Sequence, residues 1–299
     1  MTNKGTTMKR IVLSTSTSCI GHLSARHGIY LVPLHIMVNG KNFLDSKEID
    51  TARLSQMLYD NPHLDVHSTA PTCQEIERIF DELYQSEYQE VLICTAASVL
   101  SQAHENFSKV IPKYVGKMNI YLYDTKTINI NEGALAFEAN LMMQEGKSML
   151  DIIKYLNTLR VNNTFIMSLS DLSILIQRKR LSAPAGFFAN LLNIKPILWI
   201  DDDGYVVVKE KVRKFERVMH HMTDIIIEQI ANRNAFIYMV DTSIGLHTHE
   251  FKRLLANEYG LYNIPVIPIS TVALANHGPT GVGLGVYYGN IPRVFQYLS

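Results

Sequence analysis

Three short runs of this chain carry polar groups suited to holding an anion. The first is Thr95-Ala96-Ala97-Ser98-Val99-Leu100-Ser101, small and hydroxyl residues that follow the apolar run Val91-Leu92-Ile93-Cys94. The second is the pair Ser68-Thr69, just ahead of Ala70-Pro71-Thr72. The third is Asn276-His277-Gly278-Pro279-Thr280-Gly281, a histidine in a glycine-rich stretch. Hydroxyls and an imidazole can hydrogen-bond both oxygens of a carboxylate, and bonds to charged groups are the stronger kind. Each run also has a plainer reading. Ser98 and Ser101 are good helix N-cap types, with Leu100, His104 and Phe107 on one helical stripe behind them. The glycines can form a tight loop entering a last strand. Thr72 with Glu75 makes a capping box, which leaves Ser68 and Thr69 free upstream.

The elements that must position these groups alternate. Strands are expected at 11–13, 30–38, 91–94 and 119–123, and helices at 51–58, 74–88, 132–145 and up to 159, the last capped by Ser148 and Asp151. Pro33 marks 30–38 as an edge strand or a broken one, and Asn39-Gly40 is a turn. Such alternation indicates a largely parallel sheet with helices on its faces. A loop at the carboxyl end of a parallel strand, opening a helix, is where such sheets bind ligands, and free N–H groups there favour an anion. Near Val161-Asn162-Asn163 the alternation restarts, which places a domain boundary between 1–162 and 163–299. Beyond it come strands at 164–169, 193–200, 205–208, 236–240 and 266–269, with helices at 171–176, 185–192, 215–230 and 250–259. The turn Asp202-Asp203-Gly204 makes a hairpin within this second, mixed unit. The hydroxyl run Ser14-Thr15-Ser16-Thr17-Ser18 after the first strand is either a polar ligand loop or a turn and cap.

Composition narrows the function classes. Hydrophobic residues make up 47% and charged residues 19%, enough for a substantial core and against broad disorder. Lys plus Arg equals Asp plus Glu at 28 each, and a nucleic-acid binder would show a basic excess. Cys19, Cys73 and Cys94 have neither metal nor disulfide spacing, as expected of a reducing cytoplasm. Residues 1–10 lack the apolar core of a secretion signal, and no run reaches the length of a membrane span. There is no P-loop, no GxGxxG and no GxSxG elbow. The pairs His220-His221 and His247, His249 lack a partner cluster for a metal, so none is expected. The basic run Arg178-Lys179-Arg180 is either a solvated face or an anion attractor.

At this point the residues carry a likeness. The run Asn190-Leu191-Leu192-Asn193-Ile194-Lys195-Pro196-Ile197-Leu198 resembles the SLLNIKPIL of the DegV family of fatty-acid-binding proteins. Leu31-Val32-Pro33-Leu34 with Gly40-Lys41 is similar to that family's VVPL and GK, and Asp124-Thr125-Lys126-Thr127 to its DSKS. Matches run in order from near Ile11 to near Tyr288.

The resemblance implies two α/β domains with a lipid between them. Its TSQP motif falls on Ser68-Thr69-Ala70-Pro71, and its SSxLSG loop on Ala97 to Gln102, where Ser98 and Ser101 remain. Its HxGPG falls on Asn276 to Gly281, with Asn276 or His277 at the histidine; His277 is the assignment taken. Its GGRIS becomes Arg178-Lys179-Arg180-Leu181-Ser182, and its DST becomes Thr15-Ser16-Thr17, losing the acid. By this likeness Ser68, Thr69, Ser98 and His277 hold a fatty acid carboxylate, Arg180 contacts the ligand, and the acyl chain lies along Phe187, Phe188, Leu191 and Leu192. The expected protein is a cytoplasmic, bacterial, non-catalytic subunit of phospholipid metabolism, without a cofactor, that presents the lipid to a separate ATP-dependent fatty acid kinase. The competing readings are a serine-dependent hydrolase or transferase using Ser98 and His277, and a lipid sensor with no kinase partner.

Overall fold

A computed structural model describes residues 8–22, 28–182, 194–242 and 247–297. The first strand, β1 (Arg10–Thr15), ends in hydroxyls and runs into a 3-10 turn over Ser16–Ser18. β2 (Tyr30–Val32) stops at Pro33, which has no N–H for a ladder, and the chain resumes as β3 (His35–Val38). Asn39 and Gly40 both have positive φ, 47° and 77°, the type I′ turn that joins β3 to β4 (Lys41–Leu44). Then follow α1 (Thr51–Asp60), β5 (Val66–Thr69) and α2 (Cys73–Gln85), whose capping box of Thr72 and Glu75 is present as expected. β6 (Glu90–Thr95), α3 (Ala103–Val110), β7 (Asn119–Asp124), α4 (Ile130–Gln144) and α5 (Met149–Arg160) complete the first half.

β2, β1, β6 and β7 form a parallel sheet in that order, and β4, β3 and β5 a small antiparallel one. Side chains alternate across the parallel sheet. Ile11 and Leu13 of β1 join Phe80 of α2 and Phe107 of α3 on one face. Val12 and Leu92 join Phe137 of α4 and Ile152 of α5 on the other. Helices therefore cover both faces, as the strand–helix alternation requires.

The second half is one mixed sheet. Its elements are β8 (Asn163–Leu169), α6 (Ser173–Gln177), β9 (Leu181–Ser182), β10 (Lys195–Ile200), β11 (Val206–Val212), α7 (Phe215–Ile230), β12 (Ala235–Asp241), α8 (Thr248–Tyr259), β13 (Val266–Pro268), α9 (Thr271–His277) and β14 (Gly281–Tyr288). The strand order is β13-β12-β14-β8-β10-β11-β9. The glycines of β14 make room: a Cβ on Gly285 would sit 2.2 Å from the Tyr238 ring. The two halves share one continuous core, and α4 is buried on nearly every side because it lies between them. Asn131 on α4 accepts a hydrogen bond from the Tyr238 hydroxyl, and Arg293 pairs with the buried Glu138 at 2.8 Å.

Three expectations differ from the structure. Ser68 and Thr69 are not in a loop after a parallel strand; they end β5, an antiparallel edge strand of the small sheet. The hairpin strand β4 was not expected, because four residues with one apolar side chain inward show no period. His277 is not in a loop but is the last residue of α9, a two-turn helix capped by Ser270 and stopped by Gly278 at φ 79°. The helix expected over 185–192 lies outside the described residues.

Candidate functional site

A cavity opens where the two halves meet, with an empty volume, counted to its mouth, of about 830 Å³. Each wall comes from a different element. The turn after β1 gives Thr17, and the end of β5 gives Ser68 and Thr69. The loop between β6 and α3 gives Leu100, Ser101 and Gln102. α9 gives Val272, Asn276 and His277, and the segment after α6 gives Arg180. Met167 of β8, Leu175 of α6 and Val206 of β11 supply apolar surface from the second half.

α9 is anchored at its start. The Ser270 hydroxyl donates to Asn129 Oδ1 at 2.8 Å while accepting from the Ala273 N–H at 3.2 Å, and Thr51 donates to the Ile269 carbonyl at 2.8 Å. Asn129 holds its position with φ 57° and ψ −144°, a backbone region that non-glycine residues occupy only under strain. At the other end of α9, Asn276 Nδ2 donates to Ser68 Oγ and to the Val272 carbonyl, both at 2.7 Å. Ser68 Oγ thus accepts a hydrogen bond from Asn276, and its own O–H is left to donate to a ligand.

His277 is 5% exposed. Its Nδ1 lies 2.7 Å from the Gly278 carbonyl oxygen, which can only accept, so Nδ1 carries the proton. Nε2 is buried without a partner among the described residues. Burial pushes the His277 pKa down to about 4, so the ring is neutral at pH 7 and Nε2 presents a bare lone pair. Arg180 is half-buried, and its guanidinium has no hydrogen-bond or ion-pair partner among the described residues. Burial pushes its pKa down from the ordinary arginine value, the sign of a cation that water no longer fully solvates.

The neighbouring cations behave differently. Arg178 pairs with Asp65 at 2.8 Å and donates to the Val66 carbonyl, while Lys179 is exposed; neither lines the cavity.

The structure therefore brings Ser68, Thr69, His277 and Arg180 around one space. Ser98, expected with them, is exposed and lies outside the lining; its N–H donates to Asp124 Oδ1 at 3.2 Å. The reason is a tight turn. The Ala97 carbonyl accepts from both the Leu100 and the Ser101 N–H, which throws Ser98 outward and returns Leu100 and Ser101 to the cavity. Ser101 also accepts from the N–H of Ala103, the first residue of α3, at 3.2 Å, and lines the cavity at once. Sequence reasoning named Ser101, Asn276 and Thr17 without choosing them. The missing signal was the start of α3, which begins at Ala103 rather than beside Ser98. Phe187, Phe188, Leu191 and Leu192, expected along the acyl chain, lie outside the described residues. His220 and His221 sit on α7, where His221 pairs with Glu210 at 2.6 Å. Cys19, Cys73 and Cys94 are free thiols.

Two mixed α/β halves thus share a core and line a polar-ended apolar cavity. The chain matches the family described as "uncharacterised protein, DegV family" over residues 10–289, and it belongs to the DegV family. A DegV domain-containing protein of Clostridium acetobutylicum is 25% identical over 283 residues, covering 94% of this chain and 99% of its own. The fatty acid binding DegV family protein of Streptococcus agalactiae superposes with a TM-score of 0.83 at 22% identity, over 95% of this chain and all of that one (100%). DegV of Bacillus subtilis, a fatty acid binding protein, gives 0.82 at 20% identity over 94% of this chain and 100% of its own. No helix among the described residues is long and apolar enough to cross a membrane.

Proposed function

We propose that this chain binds a long-chain fatty acid in the cavity and holds its carboxylate for a separate ATP-dependent kinase. The observation that carries the reading is the Arg180 guanidinium, without a partner among the described residues and lining a cavity that otherwise offers apolar walls and hydroxyls. An apolar pocket with a few convergent polar groups suits an amphiphile, and a cation without a counter-ion calls for an anion. Proteins of this fold from Streptococcus agalactiae and Bacillus subtilis bind fatty acids, which supports the same ligand class here.

In this reading Ser68, Thr69 and Ser101 donate hydroxyl protons to the carboxyl group, and Arg180 balances its charge. Ser101 takes the place first expected for Ser98. His277 Nε2 is an acceptor in its neutral ring, so it meets a proton carried by the ligand or takes one up on binding. Thr69 is exposed as well as lining the cavity, so the head group lies near the surface, where a partner enzyme reaches it. Residues 1–162 and 163–299 act as the two domains that close on the lipid. Ser98, the serine of the hydrolase reading, lies outside the cavity that holds His277; Ser68 is bonded to Asn276 and Ser101 to a backbone N–H, and among the described residues none of the three meets a histidine, which argues against that reading. We place the protein in the cytoplasm.

Mass spectrometry of an organic extract of the purified protein tests the proposal. About one fatty acid per chain is expected. An extract without lipid, together with no saturable binding of a fluorescent fatty acid, would overturn it. Labelling of Ser68 or Ser101 by a fluorophosphonate would replace it with the hydrolase reading.

A further inference from the structure

The binding reading does not use Glu132, yet this residue is fully buried in the first turn of α4 and touches the cavity wall through its partners. No cation among the described residues pairs with it. The titratable groups around it are the thiols of Cys19 on the turn after β1 and of Cys94 on β6, with Asp45 beyond Cys19. Both thiols are pushed well up by burial and stay neutral at any working pH. Three hydroxyls converge on the carboxyl group instead. Thr15 and Thr17 bond its two oxygens, and Ser14 Oγ stands 3.3 Å from Oε1. A Cβ at Gly133 would lie 2.2 Å from the Ser18 carbonyl, so the glycine lets α4 come this close.

Counting protons fixes the state of the group. Thr15 Oγ1 and Thr17 Oγ1 are also 2.5 Å from each other, so the carboxyl group and the two threonines form a closed ring of three contacts. Each hydroxyl brings one proton. An ionised carboxylate brings none, and one of the three contacts is then oxygen against oxygen with no hydrogen between. A neutral carboxylic acid brings the third proton, and every contact becomes a hydrogen bond: Glu132 to one threonine, that threonine to the other, and the other back to Glu132. Burial points the same way, pushing the Glu132 pKa up to about 8 against the pull of the hydroxyls and of the Thr15 backbone N–H.

We propose that Glu132 is a positioning residue of the ligand cavity: held as the neutral acid, it closes the ring that fixes the Thr17 hydroxyl in the cavity wall. The affinity part rests on the fatty-acid reading; the protonation part does not. As an acid with a raised folded pKa, Glu132 contributes fully below its unfolded value of 4.5, and its contribution is lost as pH rises toward about 8.

The test compares wild type with Glu132→Gln, whose amide sets an NH2 donor group beside an acceptor oxygen, as the neutral acid sets an O–H beside a carbonyl. In urea unfolding of the ligand-free chains from pH 5 to 9, the folding constant of wild type should fall relative to Glu132→Gln, by up to about tenfold per pH unit, and level off above pH 8. Infrared spectra of wild type at pH 6 should show a protonated carboxyl band that Glu132→Gln lacks and that disappears above pH 8. The Kd for a fluorescent fatty acid should weaken about tenfold more between pH 7 and 9 in wild type than in Glu132→Gln, as the competent fraction falls. Any proton taken up at His277 on binding is common to both chains, so the difference between them reports Glu132. A stability difference that does not vary with pH, no such band at pH 6, or equal pH dependence of Kd in both chains would overturn the proposal. If wild type binds no fatty acid at all, the lipid reading fails while the unfolding and infrared arms still decide the ring.

Discussion

Replacing Arg180 by leucine should move affinity and stability in opposite directions. The guanidinium has no partner among the described residues and is half-buried beside the cavity. A charge-assisted hydrogen bond to a carboxylate is worth about 1.5–3 kcal/mol. Losing it should weaken fatty acid binding by about tenfold to a hundredfold. The ligand-free chain pays for Arg180 in lost hydration and receives no ion pair from the described residues in return, so Arg180→Leu should melt higher than wild type. Arg178→Ala supplies the contrast. Its pair with Asp65 leaves the aspartate 65% exposed, so its loss should cost less than about 1 kcal/mol and leave affinity unchanged. Affinity comes from titration with a fluorescent fatty acid at two salt concentrations, and stability from thermal melts of delipidated protein. An Arg180→Leu chain that melts lower and binds lipid as before would show that the arginine serves the fold, and the anion site would have to be sought elsewhere.

Ser101→Ala should weaken binding about tenfold and cost up to about 1 kcal/mol as a lost hydrogen bond to the Ala103 N–H, whereas Ser98→Ala should leave Kd unchanged in the same titration. His277 has a folded pKa of about 4 against 6.5 unfolded, so the ligand-free protein should lose stability as pH falls from 6.5 toward 4; His277→Gln should remove that part of the loss in urea unfolding curves. Phe80→Ala empties a fully buried site packed edge-on against Tyr114 at 5.2 Å, and should cost about 3–5 kcal/mol in denaturant melts without changing the affinity of the chains that remain folded.

The long elements were legible because they carry their own periods. α2 and α7 have unmistakable apolar stripes, and β1 and β6 are apolar runs ending in hydroxyls. Pro33 showed where an extended run breaks, and the structure breaks it there. The capping pairs Thr72 with Glu75 and Ser148 with Asp151 are local chemistry, complete within four residues, and both are present. What stayed hidden was short or distant. α9 has two turns, too few for a stripe, and β4 pairs only with a neighbour it meets through a turn. Glu132 looked like an ordinary first-turn acid. Its hydroxyl partners lie more than a hundred residues earlier, at 115 to 118 positions' separation, and no local pattern announces them.

The cavity shows the same division on a finer scale. The sequence could say that the loop after β6 brings hydroxyls to a sheet edge, but not which of them faces inward. That choice is made by the Ala97 carbonyl, which takes two N–H groups and so fixes the hand of the turn. Likewise, Ser68 and His277 are 209 positions apart by number, and neither contains the reason the other is useful. Asn276 is the link: it holds Ser68 as an acceptor, leaves the serine proton free, and sits one residue before the histidine whose Nε2 has no partner. The polar end of the cavity is therefore assembled with its hydrogen bonds left unfinished. One cation, one bare nitrogen and one spare hydroxyl proton are held ready on three separate elements. Buried polar groups cost stability when unmatched, so a folded chain tolerates this only where something else completes the set. A carboxyl group on an apolar chain does so: it brings an anion to Arg180, which has no partner among the described residues, oxygens for the hydroxyls and a tail that matches the walls, and the proton taken up with it meets Nε2.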